Sequence, residues 1–337
     1  MTYWEAFTQA KDKDNPDSNE DRIVIVPDRL YAVIDGATDK SGLTHDGLTG
    51  GQIAGRILED ALREAARNLE GPEGVQIAAI LDRVNRALAR RYRELGIGQA
   101  VGEDPWRRFS AQVAIAVRHR TTYRFIVIGD TGLRIDGREV FCVPNPGDVI
   151  CAQIRVAVHR FLTKSGADTE MARTWARRYT VEGLGSVLPG TPIDIGTAEL
   201  RRFRNLAKTE SRKRLAGLAA RDIDGVLMEG LKGLHRFRNR PGPLGFASID
   251  GTRVPPEMIV EFERAAKDVQ SIELFSDGFP RLPGKTTVAD WEADFLDLEQ
   301  DDPERVDICP ETKGSTPDKF ADDRTVLIVR PSAQTGK

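Results

Sequence analysis

Four short acidic segments, far apart in the chain, each adjoin an apolar run that reads as a β-strand. Asn19-Glu20-Asp21-Arg22 precedes Ile23-Val24-Ile25-Val26, and Asp35-Gly36 follows Ala32-Val33-Ile34. Ser276-Asp277-Gly278 follows Ile272-Glu273-Leu274-Phe275, and Asp322-Asp323-Arg324-Thr325 leads into Val326-Leu327-Ile328-Val329. Carboxylates gathered at strand ends repel one another unless a cation holds them. Hard divalent metals, which take oxygen ligands, are the usual solution. The pattern therefore predicts a metal site assembled from strand ends that are distant in sequence.

The length of 337 residues leaves room for about two domains or one large one. With 40% hydrophobic and 30% charged residues, the chain can bury an ordinary globular core. A net charge of −3 argues against a protein that coats nucleic acid. No run of about 18 apolar residues predicts a membrane span. The segment Met1-Thr2-Tyr3-Trp4-Glu5 lacks the basic and then apolar pattern of a secretion signal. Cys142, Cys151 and Cys309 are odd in number and have no ligand spacing, so they read as reduced thiols of a cytoplasmic protein. His45, His119, His159 and His235 show no zinc-motif spacing.

Hydrophobic periodicity divides the chain into three stretches. Residues 22–35 read as a hairpin turning at Pro27-Asp28-Arg29. Residues 51–69 follow as an amphipathic helix, with Ile53, Ile57, Ala61, Leu62, Ala65 and Leu69 on one face and Gly71-Pro72 as its stop. A second helix over 74–93 carries Ile77, Ile80, Leu81, Val84 and Leu88. Residues 110–128 form another hairpin, turning between Arg118 and Thr122. From 146 to 243 the pattern is helical and charged. Strand signals resume at Phe246-Ala247-Ser248-Ile249 and continue through 272–275 and 325–329. This order predicts an α+β layered fold with mainly antiparallel sheets. The simplest organisation is one domain over 1–337 with a helix-rich basic insertion or subdomain at 146–243, and a separate helical domain is the alternative.

The motif order resembles that of the metal-dependent protein phosphatases of the PPM class, also called type 2C. The matching pieces are Asn19-Glu20-Asp21, Asp35-Gly36, Gly129-Asp130-Thr131, Ser276-Asp277-Gly278 and Asp322-Asp323-Arg324-Thr325, each beside an expected strand. The resemblance spans about 18–140 and 244–330. It implies two stacked, mainly antiparallel sheets flanked by helices, and two Mn²⁺ or Mg²⁺ ions with room for a third. Asp35 would bridge the two ions. Asp277 and Asp322 would complete the first site, and Glu20 with the carbonyl of Gly36 the second. Asp21 would orient metal-bound water, and Asp130 with Asp277 would hold the third ion. Two close divalent ions can share a water, lower its pKa and direct the hydroxide in line at phosphorus. The implied activity is hydrolysis of phosphoserine or phosphothreonine in a protein.

The chain also departs from the family pattern. Pro16 stands where many members carry a phosphate-gripping Arg, which leaves Lys11 and Lys13 as candidate phosphate ligands, though Lys is a point charge rather than a fork. Ala37 and Thr38 replace the His and Gly that often follow Asp-Gly, and His45 lies nearby in sequence. Two other readings stay open: a catalytically weak member of the fold acting as a binding or regulatory module, and a phosphatase of a small phosphorylated metabolite. Residues 200–240 hold twelve cations against four acids, a local balance of +8. That stretch is either a solvated helical face or a docking surface for an anionic partner. No aromatic interleaving supports nucleic acid there.

Overall fold

The computed structural model describes residues 2–37, 42–67, 76–191 and 193–332. Its strands are β1 (Tyr3–Gln9), β2 (Arg22–Val26), β3 (Leu30–Ala37), β4 (Ser110–His119), β5 (Thr122–Ile128), β6 (Gly132–Ile135), β7 (Glu139–Cys142), β8 (Val260–Ala265), β9 (Ile272–Phe275) and β10 (Arg324–Arg330). The helices are α1 (Gly50–Arg67), α2 (Ile77–Glu94), α3 (Gly98–Glu103), α4 (Pro146–Lys164), α5 (Thr169–Glu182), α6 (Thr197–Arg214), α7 (Ala220–Glu229) and α8 (Val288–Asp301). The chain divides into two compact units. One takes in Met1–Val143, Ala247–Phe295 and Asp322–Lys337, and the other Pro144–Phe246 and Leu296–Ala321.

The first unit contains both sheets. Their strand orders are β1-β10-β9-β6-β7 and β2-β3-β4-β5-β8, and every pairing is antiparallel. Alternation decides which residues lie between them. Tyr31 and Val33 of β3, Ala114 and Ala116 of β4, and Phe125 and Val127 of β5 share one core with Leu133 of β6, Leu274 of β9, and Leu327 and Val329 of β10. The opposite face of the second sheet, with Ile34, Val113, Ile115 and Ile126, meets α1 and α2. The expected stripes do this: Ile53, Ala61 and Leu62 of α1 are buried with Ile77, Ile80, Leu81, Val84 and Leu88 of α2, while Ile57 and Ala65 pack at their edge. Leu69, Gly71 and Pro72 lie outside the described residues.

Both expected hairpins form. Asp28 turns the first at φ 59° and Arg120 the second at φ 54°. The strand expected at Phe246–Ile249 does not. Gly129 turns the chain away after Ile128, leaving β4 a single free rung, and Ile249 fills it through two backbone bonds with Ala111 of 2.9 and 3.0 Å. Four strands had no sequence expectation: β1, β6, β7 and β8. β1, β7 and β8 lie at sheet edges, and their mixed exposure erases the apolar signal.

The outer face of the first sheet carries a buried ion pair. Arg134 of β6 donates through Nε to Glu273 of β9 at 2.7 Å, and Trp291 of α8 donates to the same carboxylate at 2.9 Å. Arg134 also donates to the carbonyl of Pro283 at 2.6 Å.

The second unit is helical. Asn145 caps α4 ahead of Pro146, and Asp168 caps α5 by accepting from the Met171 amide. Phe161 of α4 meets Phe203 of α6 edge-on at 5.2 Å. The buried Arg155 pairs with Glu304 at 3.2 Å, and Glu304 also takes Arg173 at 2.5 Å. Among the described residues no helix is long and apolar enough to cross a membrane.

The Arg134–Glu273 pair supplies a stability prediction. Glu273→Leu strands a buried guanidinium and should lower unfolding free energy by about 3–5 kcal/mol in urea titrations. Arg134→Leu combined with Glu273→Leu should recover most of that loss, because no uncompensated charge remains.

Candidate metal centre

Antiparallel pairing brings the acidic segments to one end of the sandwich. Glu20 and Asp21 enter β2, which runs against β3, so they lie beside Asp35 and Gly36 near the exit of β3. Asp130 leaves β5, which runs parallel to β3 across β4. Asp277 leaves β9 while Asp322 and Asp323 enter β10, its antiparallel neighbour. Ser276 and Thr325 lock that pair of ends: the Ser276 amide donates to the Thr325 carbonyl at 3.0 Å, and the Thr325 amide to the Ser276 hydroxyl at 2.9 Å.

Two glycines permit the close approach. A Cβ on Gly36 would lie 2.6 Å from the Glu20 carbonyl oxygen and 2.8 Å from that of Gly51, so this backbone can adjoin the first turn of α1 only as glycine. Gly129 adopts φ +84°, and a Cβ there would lie 2.1 Å from the Gln112 side chain. That turn is what delivers Asp130 to the centre.

Carboxylate oxygens of Asp35, Asp130 and Asp277 all lie within 4.8 Å of one another. This donor set suits a hard divalent cation. The electrostatics point the same way. Burial pushes the Asp35 carboxyl well above the usual range, and the charges of Asp277, Asp21, Asp130 and Asp322 push it further. Burial also raises Asp21, with the Asp323 charge adding to it and the Ser276 and Thr325 hydroxyls opposing. Asp21 is 3% exposed, and its Oδ2 has no hydrogen-bond partner among the described residues. Carboxylates so placed are short of positive charge.

Part of that deficit is met within the chain. Lys11 Nζ lies 2.8 Å from Glu20, 3.2 Å from Asp323 and 3.7 Å from Asp322. Burial alone would lower the Lys11 pKa, but the charges of Asp322, Glu20 and Asp323 outweigh it and raise the pKa, so the ammonium stays charged. Asp323, 3% exposed, also accepts from the Lys11 amide at 2.6 Å and the Glu20 amide at 3.2 Å. The structure therefore sets Lys11, expected at substrate phosphate, among the carboxylates themselves. Lys13 is exposed.

Sequence reasoning gave Thr49 and Asp323 no role. Thr49 accepts from the Gln52 amide at 3.2 Å, the Gln52 side chain accepts from the Thr49 amide at 3.1 Å, and the Thr49 hydroxyl donates to Glu20 Oε1 at 2.6 Å. The spacing Thr49-x-x-Gln52 is a capping box legible in the sequence. Its link to Glu20 is a long-range contact and is not. His45 lies against Phe109, ring centroids 5.1 Å apart. Thr38 lies outside the described residues. Cys142 donates to the Asp130 carbonyl at 3.4 Å, and desolvation with the charges of Asp130 and Asp277 pushes its thiol up to about 12. At neutral pH this is a thiol rather than a thiolate nucleophile.

No protein-family model matches the chain, and no curated protein matches it by sequence. Solved structures similar to it are bacterial serine/threonine phosphatases. A bacterial serine phosphatase aligns over 100% of both chains at 12% identity and a TM-score of 0.48. Stp1 of Staphylococcus aureus aligns over 98% of this chain and 96% of its own at 12% identity and a TM-score of 0.48. The catalytic domain of PstP in complex with two manganese ions aligns over 98% and 97% at 15% identity and a TM-score of 0.42.

The raised carboxyls make a pH prediction for metal-free protein. A carboxyl with a folded pKa above its unfolded value near 3.8 adds no penalty below that value. It destabilises the fold progressively as pH rises through the window between the two pKa values. Asp35→Asn in EDTA should therefore be more stable than wild type at pH 8, and the gain should shrink at pH 4.5. Thermal unfolding at the two pH values checks this. A variant less stable than wild type at pH 8 would contradict it.

Proposed function

We propose that the chain is a metal-dependent phosphomonoesterase acting on phosphoserine or phosphothreonine in proteins. The observation that carries this reading is the convergence of Asp35, Asp130 and Asp277 within 4.8 Å at the end of the sandwich where the other motif carboxylates gather. Mn²⁺ or Mg²⁺ suits these oxygen donors. Asp35, Asp277 and Asp130 would hold the metal, with Asp322 adjoining. A divalent ion bound there supplies Lewis acidity, lowering the pKa of a water and offsetting charge on phosphoryl oxygens.

The remaining steps belong to the chain's own groups. Asp21 has a buried oxygen with no hydrogen-bond partner among the described residues and a carboxyl whose pKa burial raises above its ordinary value, which suits it to orient the attacking water and take its proton. Glu20, Asp322 and Asp323 hold Lys11 beside the centre. No side chain follows Gly36 that could protonate a leaving group, since position 37 is alanine. Solvent would supply the proton to the departing serine or threonine oxygen.

The basic stretch 200–240 is partly neutralised locally. Arg204 and Lys208 share Asp224, Lys213 pairs with Glu210, Lys232 with Glu182 and Arg236 with Glu229. Arg201, Arg202, Arg212 and Arg214 are exposed on α6. We assign these four to docking of an anionic phosphoprotein.

The test is hydrolysis of an aryl phosphate and of a phosphoprotein by the full chain. Activity on both should vanish in EDTA, return with Mn²⁺ or Mg²⁺, and be lost in Asp35→Ala and nearly lost in Asp277→Asn. Arg212→Glu with Arg214→Glu should spare the aryl phosphate and weaken only the phosphoprotein reaction, most at low salt. Full activity in EDTA would overturn the proposal.

A further inference from the structure

The motif resemblance places a second divalent ion on Glu20, the Gly36 carbonyl and Asp35, but the structure leaves Glu20 little to offer it. Its Oε1 accepts from Thr49 at 2.6 Å and its Oε2 from Lys11 Nζ at 2.8 Å. The ammonium is also 3.2 Å from Asp323 and 3.7 Å from Asp322, so three carboxylates surround one lysine. Glu20 is 1% exposed, and a carboxylate that deep requires a compensating charge.

Nor is Lys11 a loose side chain that happens to reach these groups. It follows the buried Ala10, and its own amide donates to Asp323 at 2.6 Å. The carboxylate that fixes its backbone therefore also receives its ammonium. A divalent ion on Glu20 would have to share oxygens already engaged by Thr49 and Lys11 and sit beside a like charge.

We propose that the Lys11 ammonium is the resident cation of the Glu20 side of the centre and stands in place of a second tightly held divalent ion. The chain then holds one ion tightly, on Asp35, Asp130 and Asp277, and Lys11 balances Glu20, Asp322 and Asp323. This rests on the metal-centre reading above. It gives Lys11 a positioning role: the ammonium is spent on Glu20, Asp322 and Asp323, and substrate phosphate meets one ion rather than two.

The experiment counts ions directly. Full-length protein is stripped with EDTA, dialysed and titrated with Mn²⁺ alone, followed by calorimetry and by electron paramagnetic resonance. Wild type should bind one Mn²⁺ tightly and give the six-line spectrum of an isolated ion. Lys11→Met, which removes the charge and keeps the length, should tighten a second Mn²⁺ by about tenfold or more and give the broadened spectrum of a coupled pair. Lys11→Arg should return to one ion. Two tight, coupled ions in wild type would overturn the proposal, whatever the variants do. So would a Lys11→Met variant that raises KM for an aryl phosphate but still binds one ion, since that would make Lys11 a phosphate ligand. If Lys11→Met folds only with Mn²⁺ present, the missing charge is being supplied by metal, which supports it. If wild type binds no Mn²⁺ at all, as expected of Asp35→Ala, the metal-centre reading falls and this inference with it.

Discussion

Mutual repulsion among seven carboxylates governs this structure. Glu20, Asp21, Asp35, Asp130, Asp277, Asp322 and Asp323 are delivered to one end of a sheet sandwich by five separate strand ends. The sandwich core fixes those ends, because Val33, Val127, Leu274 and Leu327 of both sheets pack together within four residues of them. Hydrophobic burial thus holds in place an arrangement that electrostatics opposes. Burial and neighbouring charges raise Asp35 and Asp21 together, the condition expected of a site whose cation is part of its design.

Much of this was legible in the sequence because two signals coincide at each motif. An apolar, β-branched run marks a buried strand, and an acidic residue marks its end. Strands β2, β3, β4, β5, β9 and β10 and the stripes of α1 and α2 follow from that pattern. The edge strands β1, β7 and β8 were not legible, since a strand with one exposed flank mixes polar and apolar residues. The run Phe246–Ile249 misled for the opposite reason. It is apolar enough for a strand, but the Gly129 turn left only one rung of β4 to pair with.

The motif carboxylates were legible in the sequence, and their partners were not. Asp323 stood inside a quoted motif without a role, and Thr49 stood outside every motif. Both act through contacts that cross the fold, Asp323 to Lys11 across 312 residues and Thr49 to Glu20 across 29. Lys11 was singled out for its charge, and sequence could place that charge near the centre. Only three-dimensional packing could set its ammonium against Glu20, Asp322 and Asp323. Of the acids paired with cations of 200–240, Asp224, Glu210 and Glu229 already enter the +8 balance, and Glu182, outside the stretch, lowers it further through Lys232.

The claim that these carboxylates exist to hold a divalent ion has a direct test in diffraction. Crystals of EDTA-stripped protein soaked in Mn²⁺ should show a strong anomalous peak bounded by the carboxylates of Asp35, Asp130 and Asp277. Mn²⁺ held elsewhere, or a centre that excludes it while the three carboxylates keep their places, would contradict the account.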